Sequence, residues 1–224
     1  MKTFTEELTN LFLVHKNAEN AHHMSEYMRG KFVYFGIKTT PRRELLKQAL
    51  DNHKIEVKEN IRAITFNLYS LKEREFHLCA QEIFEKHLRK SYQEEDIQLI
   101  EKLITTHSWW DTVDFIAKQI LGRYLLTFPE KTDTIISKFS NSDNMWLNRS
   151  AIIFQLGYKT KTNEKLLFAQ CLKHSKSDEF FIQKAIGWTL REYGKTNPEA
   201  VLNFVNANTF KPLSTKEAIR NIIK

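Results

Sequence analysis

Apolar residues recur every three to four positions along almost the whole chain, and the strict alternation of a strand is almost absent. This spacing is typical of helices that bury one face. Between about Phe180 and Lys195, the predicted buried face consists of Ile182, Ala185, Ile186, Thr189, Leu190 and Tyr193. Around Trp109 it consists of Trp109, Val113, Ile116, Ala117 and Ile120. The pattern therefore predicts an all-α protein.

Polar residues and prolines mark where several of these helices are expected to begin, because they satisfy or tolerate the free amides of a first turn. The expected starts are Thr40-Pro41, Ser108 before Trp109, Ser142-Asp143-Asn144, Ser177-Asp178, Asn197-Pro198 and Ser214-Thr215.

Similar helical segments recur with a period in the thirties. Ala185 follows Ala151 by 34 residues, and Ala218 follows Ala185 by 33. Ala80 and Asp114 are again 34 residues apart. Two helices per unit at this period are typical of α-solenoids. We therefore predict one domain over residues 1–224, an α-solenoid of HEAT-like helical repeats whose equivalent faces line one concave surface.

The composition fits this fold and adds a charge. Apolar residues make up 42% of the chain, whereas only 6 glycines and 4 prolines are present, which leaves little material for turn-rich β folds. Lysine and arginine outnumber aspartate and glutamate by 34 to 27, a net charge of +7. This excess favours a polyanionic partner and a basic concave face, although a ribosomal or membrane-surface protein would show a similar excess.

Neither secretion nor membrane insertion is indicated. The first residues lack the apolar run of a signal peptide, and no window is long and apolar enough to span a bilayer. Cys79 and Cys171 stand alone in apolar helical contexts, so we expect buried, reduced thiols in a cytoplasmic protein.

A second stripe on the helix after Phe180 carries the first candidate chemistry. It consists of Lys184, Trp188, Arg191 and Lys195, which lie roughly opposite the apolar face. The structural interpretation is a tryptophan covered by a loop or a neighbouring repeat. The functional interpretation is an aromatic contact for a nucleotide, flanked by cations that bind phosphate.

Two further helices contribute an acid, an indole and a cation. Trp110 and Asp114 are spaced i, i+4 beside the apolar face, and Arg149 lies in the next repeat. Asp114 is also suited to capping a backbone or pairing with an arginine, and Arg149 to a solvated face or an inter-repeat salt bridge. Equivalent faces of a solenoid line one surface, so these side chains are expected to converge there with Trp188.

The N-terminal third offers a possible phosphate site. Tyr27 lies in a helical stretch, and Lys38, Thr39 and Arg43 surround a helix start, where free amides and the helix dipole favour an anion. No metal and no cofactor are expected. The adjacent histidines at 22 and 23 point about 100° apart on a helix, and no P-loop or dinucleotide fingerprint is present.

Four strings resemble the AlkD family of bacterial DNA alkylation-repair glycosylases: YMRGKFVYFGIKT, SWWDTVD, WLNRSAIIFQLGYK and EFFIQKAIGWTLREYGKTNP. The resemblance covers essentially the whole chain. It implies a HEAT-like solenoid that removes cationic alkylated purines, such as 7-methylguanine and 3-methyladenine, from double-stranded DNA by hydrolysing the N-glycosidic bond. It also implies a cytoplasmic bacterial enzyme that associates with the nucleoid through DNA. A monomer is expected.

The resemblance assigns roles residue by residue. The family's catalytic positions match Trp110, Asp114 and Trp188, with Arg149 at the adjacent one, and its N-terminal DNA-contacting segment matches Tyr27, Lys38 and Thr39. Two residues depart from the family pattern, Lys38 where a glutamine is expected and Gly157 where a lysine is expected. Both departures concern binding rather than the chemistry.

The chemistry that the resemblance implies suits these residue types. A cationic purine leaves without a general acid, so Asp114 has to stabilise the positive sugar and place a water. The two indoles are expected to hold the cationic nucleotide, and Arg149, Lys184 and Arg191 to bind phosphates. No activated lysine is evident beside Asp114, which favours hydrolysis over strand nicking. Two alternatives stay open: a non-catalytic DNA-binding paralogue that recognises damaged or structured DNA, and a protein-binding solenoid.

Overall fold

The computed structural model describes residues 2–222 and is helical through most of them. Within this range, extended pairing is limited to one isolated parallel bridge between Val33 and Glu73. The structure thus confirms an all-α helical-repeat fold. The backbone divides into two compact units, with the boundary in the sequence between Tyr92 and Gln93. The single domain and the concave basic face stay predictions.

Five helices form the first unit: α1 (Phe4–Val14), α2 (Ala18–Tyr27), α3 (Thr39–Asn52), α4 (Lys54–Tyr69) and α5 (Arg74–Leu88). The second unit continues with α6 (Asp96–Thr105), α7 (Trp110–Phe115), a π-helical segment (Ile116–Leu121), α8 (Gly122–Thr127), α9 (Thr132–Ser140) and α10 (Met145–Ile153). It ends with α11 (Glu164–Lys173), α12 (Phe180–Tyr193), α13 (Pro198–Ala207) and α14 (Pro212–Ile219). Short 3-10 turns cover Pro129–Lys131 and Lys159–Lys161.

In the first unit, a buried carboxylate organises the loop between α2 and α3. Glu75 is fully buried, and its oxygens accept the backbone N–H groups of Phe35, Gly36 and Ile37 at 3.2, 2.9 and 3.1 Å. Gly36 adopts a φ of +87°, and a Cβ there would lie 2.0 Å from the carbonyl oxygen of Asn17. The loop that leads into α3 is therefore fixed by hydrogen bonds and by a position that requires glycine.

In the second unit, the predicted repeat is visible in the packing. The three alanines of the predicted period, Ala151, Ala185 and Ala218, are completely buried in one core cluster where α10 packs on α12 and α12 on α14. Polar links between repeats have a similar spacing. Lys138 contacts Glu101, 37 positions away, at 2.5 Å. Ser140 and His174, 34 positions apart, lie 2.8 Å from each other.

The predicted buried faces of α7 and α12 are confirmed. Trp109, Val113, Ile116, Ala117 and Ile120 are all buried, as are Ile182, Ala185, Ile186, Thr189 and Leu190, while Tyr193 is half-buried. The helix after Trp110 departs from ideal spacing in its π-helical turn, a feature often found near functional sites. Both cysteines are free and buried, as expected.

Two of the predicted helix starts are confirmed. The side chain of Asn144 caps α10 by accepting the backbone N–H of Trp146 at 2.9 Å. Asn197 caps α13, whose first residue is Pro198, by accepting the N–H of Ala200 at 3.2 Å.

The other starts are shifted, and in two of them the polar side chain has a different partner. Ser108 does not cap the next helix, which begins at Trp110. Its hydroxyl donates to the carbonyl of Ile104 at 2.6 Å, at the end of α6. Ser214 lies inside α14 and donates to the carbonyl of Gln183 at 3.0 Å. Helix α3 already begins at Thr39, one residue before the predicted cap, and α12 begins at Phe180 without a side-chain cap.

No helix among residues 2–222 has the length and apolar character that a bilayer crossing requires.

Candidate active-site cleft

A cleft of about 320 Å³ opens between α7, α10, α12 and α14 of the second unit. Its lining residues are Trp110, Asp114, Arg149, Phe180, Phe181, Lys184, Trp188, Arg191 and Glu217. The four residues predicted to be catalytic therefore come together in one cleft, although they lie on three different helices. Stacking of successive repeats explains this convergence, because equivalent positions of neighbouring helices lie side by side.

The centre of the cleft is a two-pronged ion pair. Arg149 donates from Nε to Asp114 Oδ1 at 2.7 Å and from Nη2 to Asp114 Oδ2 at 2.8 Å. Its remaining terminal nitrogen, Nη1, donates to the carbonyl of Phe181. Arg149 is only 4% exposed, so its donors face protein groups rather than solvent. These bonds hold the Asp114 carboxylate in place, and the phosphate contact expected for Arg149 stays a prediction.

The electrostatic setting of Asp114 combines opposing effects. Burial raises the pKa of this carboxyl above its usual range, the hydrogen bonds and charge of Arg149 act in the opposite direction, and Asp111 adds a smaller upward shift. An arginine stays charged at any physiological pH, and a two-pronged contact favours the ionised carboxylate. The cleft thus contains a partly desolvated anion in a fixed orientation.

Two indoles accompany this carboxylate. Trp110 lies one helical turn before Asp114 on α7 and is half-buried. Trp188 is also half-buried, and it packs against the core cluster of the second unit as well as lining the cleft. The sequence suggested that Trp188 lies away from the core, whereas the structure shows it in contact with both core and cleft. This packing limits the freedom of the ring.

An aromatic cluster beside the carboxylate was not predicted. The ring of Phe181 lies 5.2 Å from that of Trp109 and 5.1 Å from that of Trp146. Phe181 also supplies the carbonyl that Arg149 contacts, so the cluster supports the ion pair. Its neighbour Phe180 lines the cleft and is 55% exposed. The paired phenylalanines at the start of α12 were the available sequence signal for this cluster.

The basic residues of the cleft are engaged by a carboxylate that sequence reasoning missed. Lys184 contacts Glu217 at 2.9 Å, and Arg191 contacts the same carboxylate through its other oxygen. Hydrogen bonding from Lys184 is the main cause that lowers the pKa of Glu217, so this group is ionised. The spacing of 33 residues between Lys184 and Glu217 matches the repeat and was the signal for this pair. Lys195 contacts Glu192 at 2.6 Å instead.

The four N-terminal candidates lie in the first unit, whereas the cleft is built from the second unit alone. Tyr27 ends α2 and is 72% exposed. Lys38 and Thr39 are exposed at the start of α3. Arg43 contacts Glu82 at 2.9 Å, a carboxylate that also binds a buried arginine. All four side chains are thus exposed, Tyr27 at the end of α2 and the other three in or next to the first turn of α3, and their DNA contacts stay a prediction.

Gly157 stands where the family pattern has a lysine, and the backbone conformation explains this difference. Gly157 adopts a φ of +91°, in the left-handed region that other residues rarely occupy. A lysine at this position would therefore be strained in this chain.

Fold and cleft together define a helical-repeat protein with an aromatic-walled, ion-paired cleft. The family model described as DNA alkylation repair enzyme matches residues 8–222, and the chain belongs to this family. A solved structure described as a predicted DNA alkylation repair enzyme from Enterococcus faecalis is 32% identical to it, with a TM-score of 0.85. That match covers 93% of this chain and 97% of the other. None of the curated proteins matches the chain. The family predicted from the sequence is confirmed, and membership supports an enzymatic role in DNA repair.

Proposed function

We propose that this chain is a monofunctional DNA glycosylase. Its substrate is double-stranded DNA that contains cationic alkylated purines of the 7-methylguanine and 3-methyladenine type, in the bacterial cytoplasm. The observation that carries the proposal is the Asp114 carboxylate, held by Arg149 in a cleft that Trp110 and Trp188 line. The proposed enzyme acts as a monomer and uses no cofactor.

The reaction requires little from the protein apart from electrostatics and a placed water. The bond between C1′ and the purine nitrogen breaks, and its electron pair moves onto the purine, which thereby loses its positive charge. The sugar is left with oxocarbenium character. Because the base departs neutral, no general acid is needed. A fixed carboxylate next to the sugar stabilises this positive charge without reorganising during the step.

Asp114 is suited to this task because its orientation is set before the substrate binds. Each carboxylate oxygen accepts one bond from Arg149 and retains capacity for a further partner. A water bound to Asp114 attacks C1′ and loses its proton to solvent through the carboxylate, which leaves an abasic site. The cleft lysine, Lys184, is engaged by Glu217, so the chemistry favours hydrolysis over a Schiff base that nicks the strand.

The two indoles contribute selectivity. A positive purine over the face of Trp110 or Trp188 is favoured by about 0.5–2 kcal/mol per ring relative to a neutral one. This contact distinguishes alkylated from ordinary purines. It also weakens when the base leaves as a neutral product, which favours its release.

DNA backbone contacts are assigned to exposed or partly exposed groups. In the second unit these are Lys184 and Arg191, which retain donors beyond those bound to Glu217. In the first unit they are Tyr27, Lys38, Thr39 and Arg43. Each phosphate contact contributes about 0.9 to the slope of log affinity against log salt.

The test is base release from duplex DNA that carries 7-methylguanine. We expect the wild type to release the base well above the spontaneous rate and Asp114→Asn to lower the rate by about 10²–10³-fold, the effect typical of removing a preorganised charge. Asp111→Asn is the matched control, because this carboxylate lies on the same helix but does not line the cleft. We expect it to stay close to the wild type.

Two outcomes would contradict the proposal. Equal release by the wild type and a folded Asp114→Asn variant would remove the assigned role of the carboxylate. No release by the wild type, together with tight and salt-dependent DNA binding, would indicate a non-catalytic DNA-binding protein.

A further inference from the structure

Glu217 is an anion in the basic part of the cleft. Its carboxylate contacts Lys184 at 2.9 Å through Oε1 and Arg191 through Oε2, and its own backbone carbonyl accepts a bond from Arg191 at 3.3 Å. The side chain is only 14% exposed. Neither Asp114 nor Arg149 is among the partners found for it. Glu217 therefore acts on the two cations and not on the central ion pair.

The packing of α12 against α14 fixes this position. Gly187 lies beneath Glu217, and a Cβ on Gly187 would be 2.4 Å from the Cβ of Glu217 and 3.0 Å from the carbonyl oxygen of Ser214. The hydroxyl of Ser214 donates to Gln183 at 3.0 Å and further joins the two helices. Because the backbones approach this closely, the carboxylate is held beside Lys184 and Arg191 before DNA binds.

This arrangement changes the charge that a DNA phosphate meets. Lys184 and Arg191 alone would present two positive charges, whereas with Glu217 the three side chains sum to one. A phosphate that binds either cation has to compete with a carboxylate that already accepts its hydrogen bonds. Affinity for undamaged DNA depends mainly on such phosphate contacts and on the counterions they release.

We propose that Glu217 is an internal competitor for DNA phosphate that limits the affinity of the cleft for the DNA backbone. It weakens binding to the undamaged backbone, which depends on Lys184 and Arg191. The cationic base is recognised by other side chains, the two indoles and Asp114. This inference rests on the proposed function in that DNA is the ligand of the cleft.

The experiment compares the wild type with Glu217→Gln on unmodified duplex DNA. Fluorescence anisotropy gives the affinity from about 50 to about 300 mM salt, so that the slope of log affinity against log salt is obtained. We expect Glu217→Gln to steepen the slope by about 0.9 and, if counterion release is the main contribution, to bind about 8-fold tighter near 0.1 M salt.

Glu192→Gln is the matched control. Glu192 lies on α12, pairs with Lys195 at 2.6 Å and does not line the cleft. It changes the net charge by the same amount, so a general charge effect would raise DNA affinity equally in both variants. An equal rise would overturn the proposal, as would unchanged or weaker binding by a folded Glu217→Gln variant.

If Glu217→Gln does not fold, Lys184→Gln provides the test. A cation that a carboxylate already engages should lower the slope by clearly less than one full contact, about 0.9, when it is removed. A fall by the full amount would overturn the inference.

Base release from 7-methylguanine DNA separates this inference from the proposed function. Release by the wild type without tighter binding by Glu217→Gln defeats the inference alone. Tighter binding by Glu217→Gln without base release by the wild type supports the inference and defeats only the glycosylase assignment. No salt-dependent DNA binding by the wild type defeats both.

Discussion

Arg149→Met is the perturbation that most directly probes the central ion pair. The substitution keeps an apolar stem but removes the two bonds to Asp114 and the bond to the carbonyl of Phe181. Removing one partner of a buried ion pair costs about 3–5 kcal/mol, because the other charge stays desolvated. The Asp114 side chain retains 19% exposure, so we expect the lower end, about 3 kcal/mol of unfolding free energy near neutral pH.

The loss should depend on pH with a definite sign. Burial already raises the pKa of Asp114, so the folded protein holds this proton more tightly than the unfolded chain does. Without Arg149 the pKa of Asp114 rises further. The extra instability of the variant is then fully present above that raised pKa and disappears as the pH falls through it. The difference in unfolding free energy between the variant and the wild type then narrows by at most about 1.4 kcal/mol per pH unit.

Urea unfolding followed by tryptophan fluorescence measures this effect. All four tryptophans lie in the second unit, so the signal reports on the unit that contains the cleft. Lys195→Met is the control, because it removes a surface ion pair with Glu192 and should cost less than about 1 kcal/mol. A loss of unfolding free energy below about 1 kcal/mol in Arg149→Met near pH 7.5 would refute the reasoning. So would a difference from the wild type that is as large near pH 5 as near pH 7.5.

Three further predictions concern other parts of the chain. Gly36→Ala should destabilise the first unit by more than about 1 kcal/mol in thermal unfolding by circular dichroism, because its Cβ would meet the Asn17 carbonyl at 2.0 Å. Gly30→Ala, with a φ of +69° and open space, should cost only about 1 kcal/mol. Trp188→Leu keeps apolar bulk but removes the indole face, so single-turnover base release should fall about 2- to 30-fold, and an unchanged rate would contradict the assigned contact. Burial raises the pKa of Cys79 to about 11, so this thiol should resist a thiol reagent until the protein unfolds, and fast labelling of native protein would show otherwise.

The helical fold and its period were predictable because both depend on local spacing. The apolar positions of α7 and α12 bury as expected, and the alanines 33 and 34 residues apart are all in the core. Helix starts were predicted less well. Asn144 and Asn197 cap their own helices, but Ser108 and Ser214 donate to carbonyls outside the predicted first turn. A sequence indicates that a side chain can cap, but not which backbone group competes for it.

The residues of the cleft were named largely through the family resemblance, together with their spacing on single helices. Their distances to one another depend on how repeats stack. The sequence offered Arg149 either as a salt-bridge partner or as a phosphate ligand, and the structure shows the salt bridge, buried beside Asp114. Glu217 was missed because its partners lie one repeat earlier in the chain.

By itself, then, the sequence determined an all-α repeat protein, its buried faces, its basic charge and its family. These properties follow from local periodicity, composition and motifs, which do not depend on distant contacts. Only the tertiary structure decided which charges neutralise each other, because an ion pair depends on distance and burial. It joined Asp114 to Arg149, and Glu217 to Lys184 and Arg191, across neighbouring repeats.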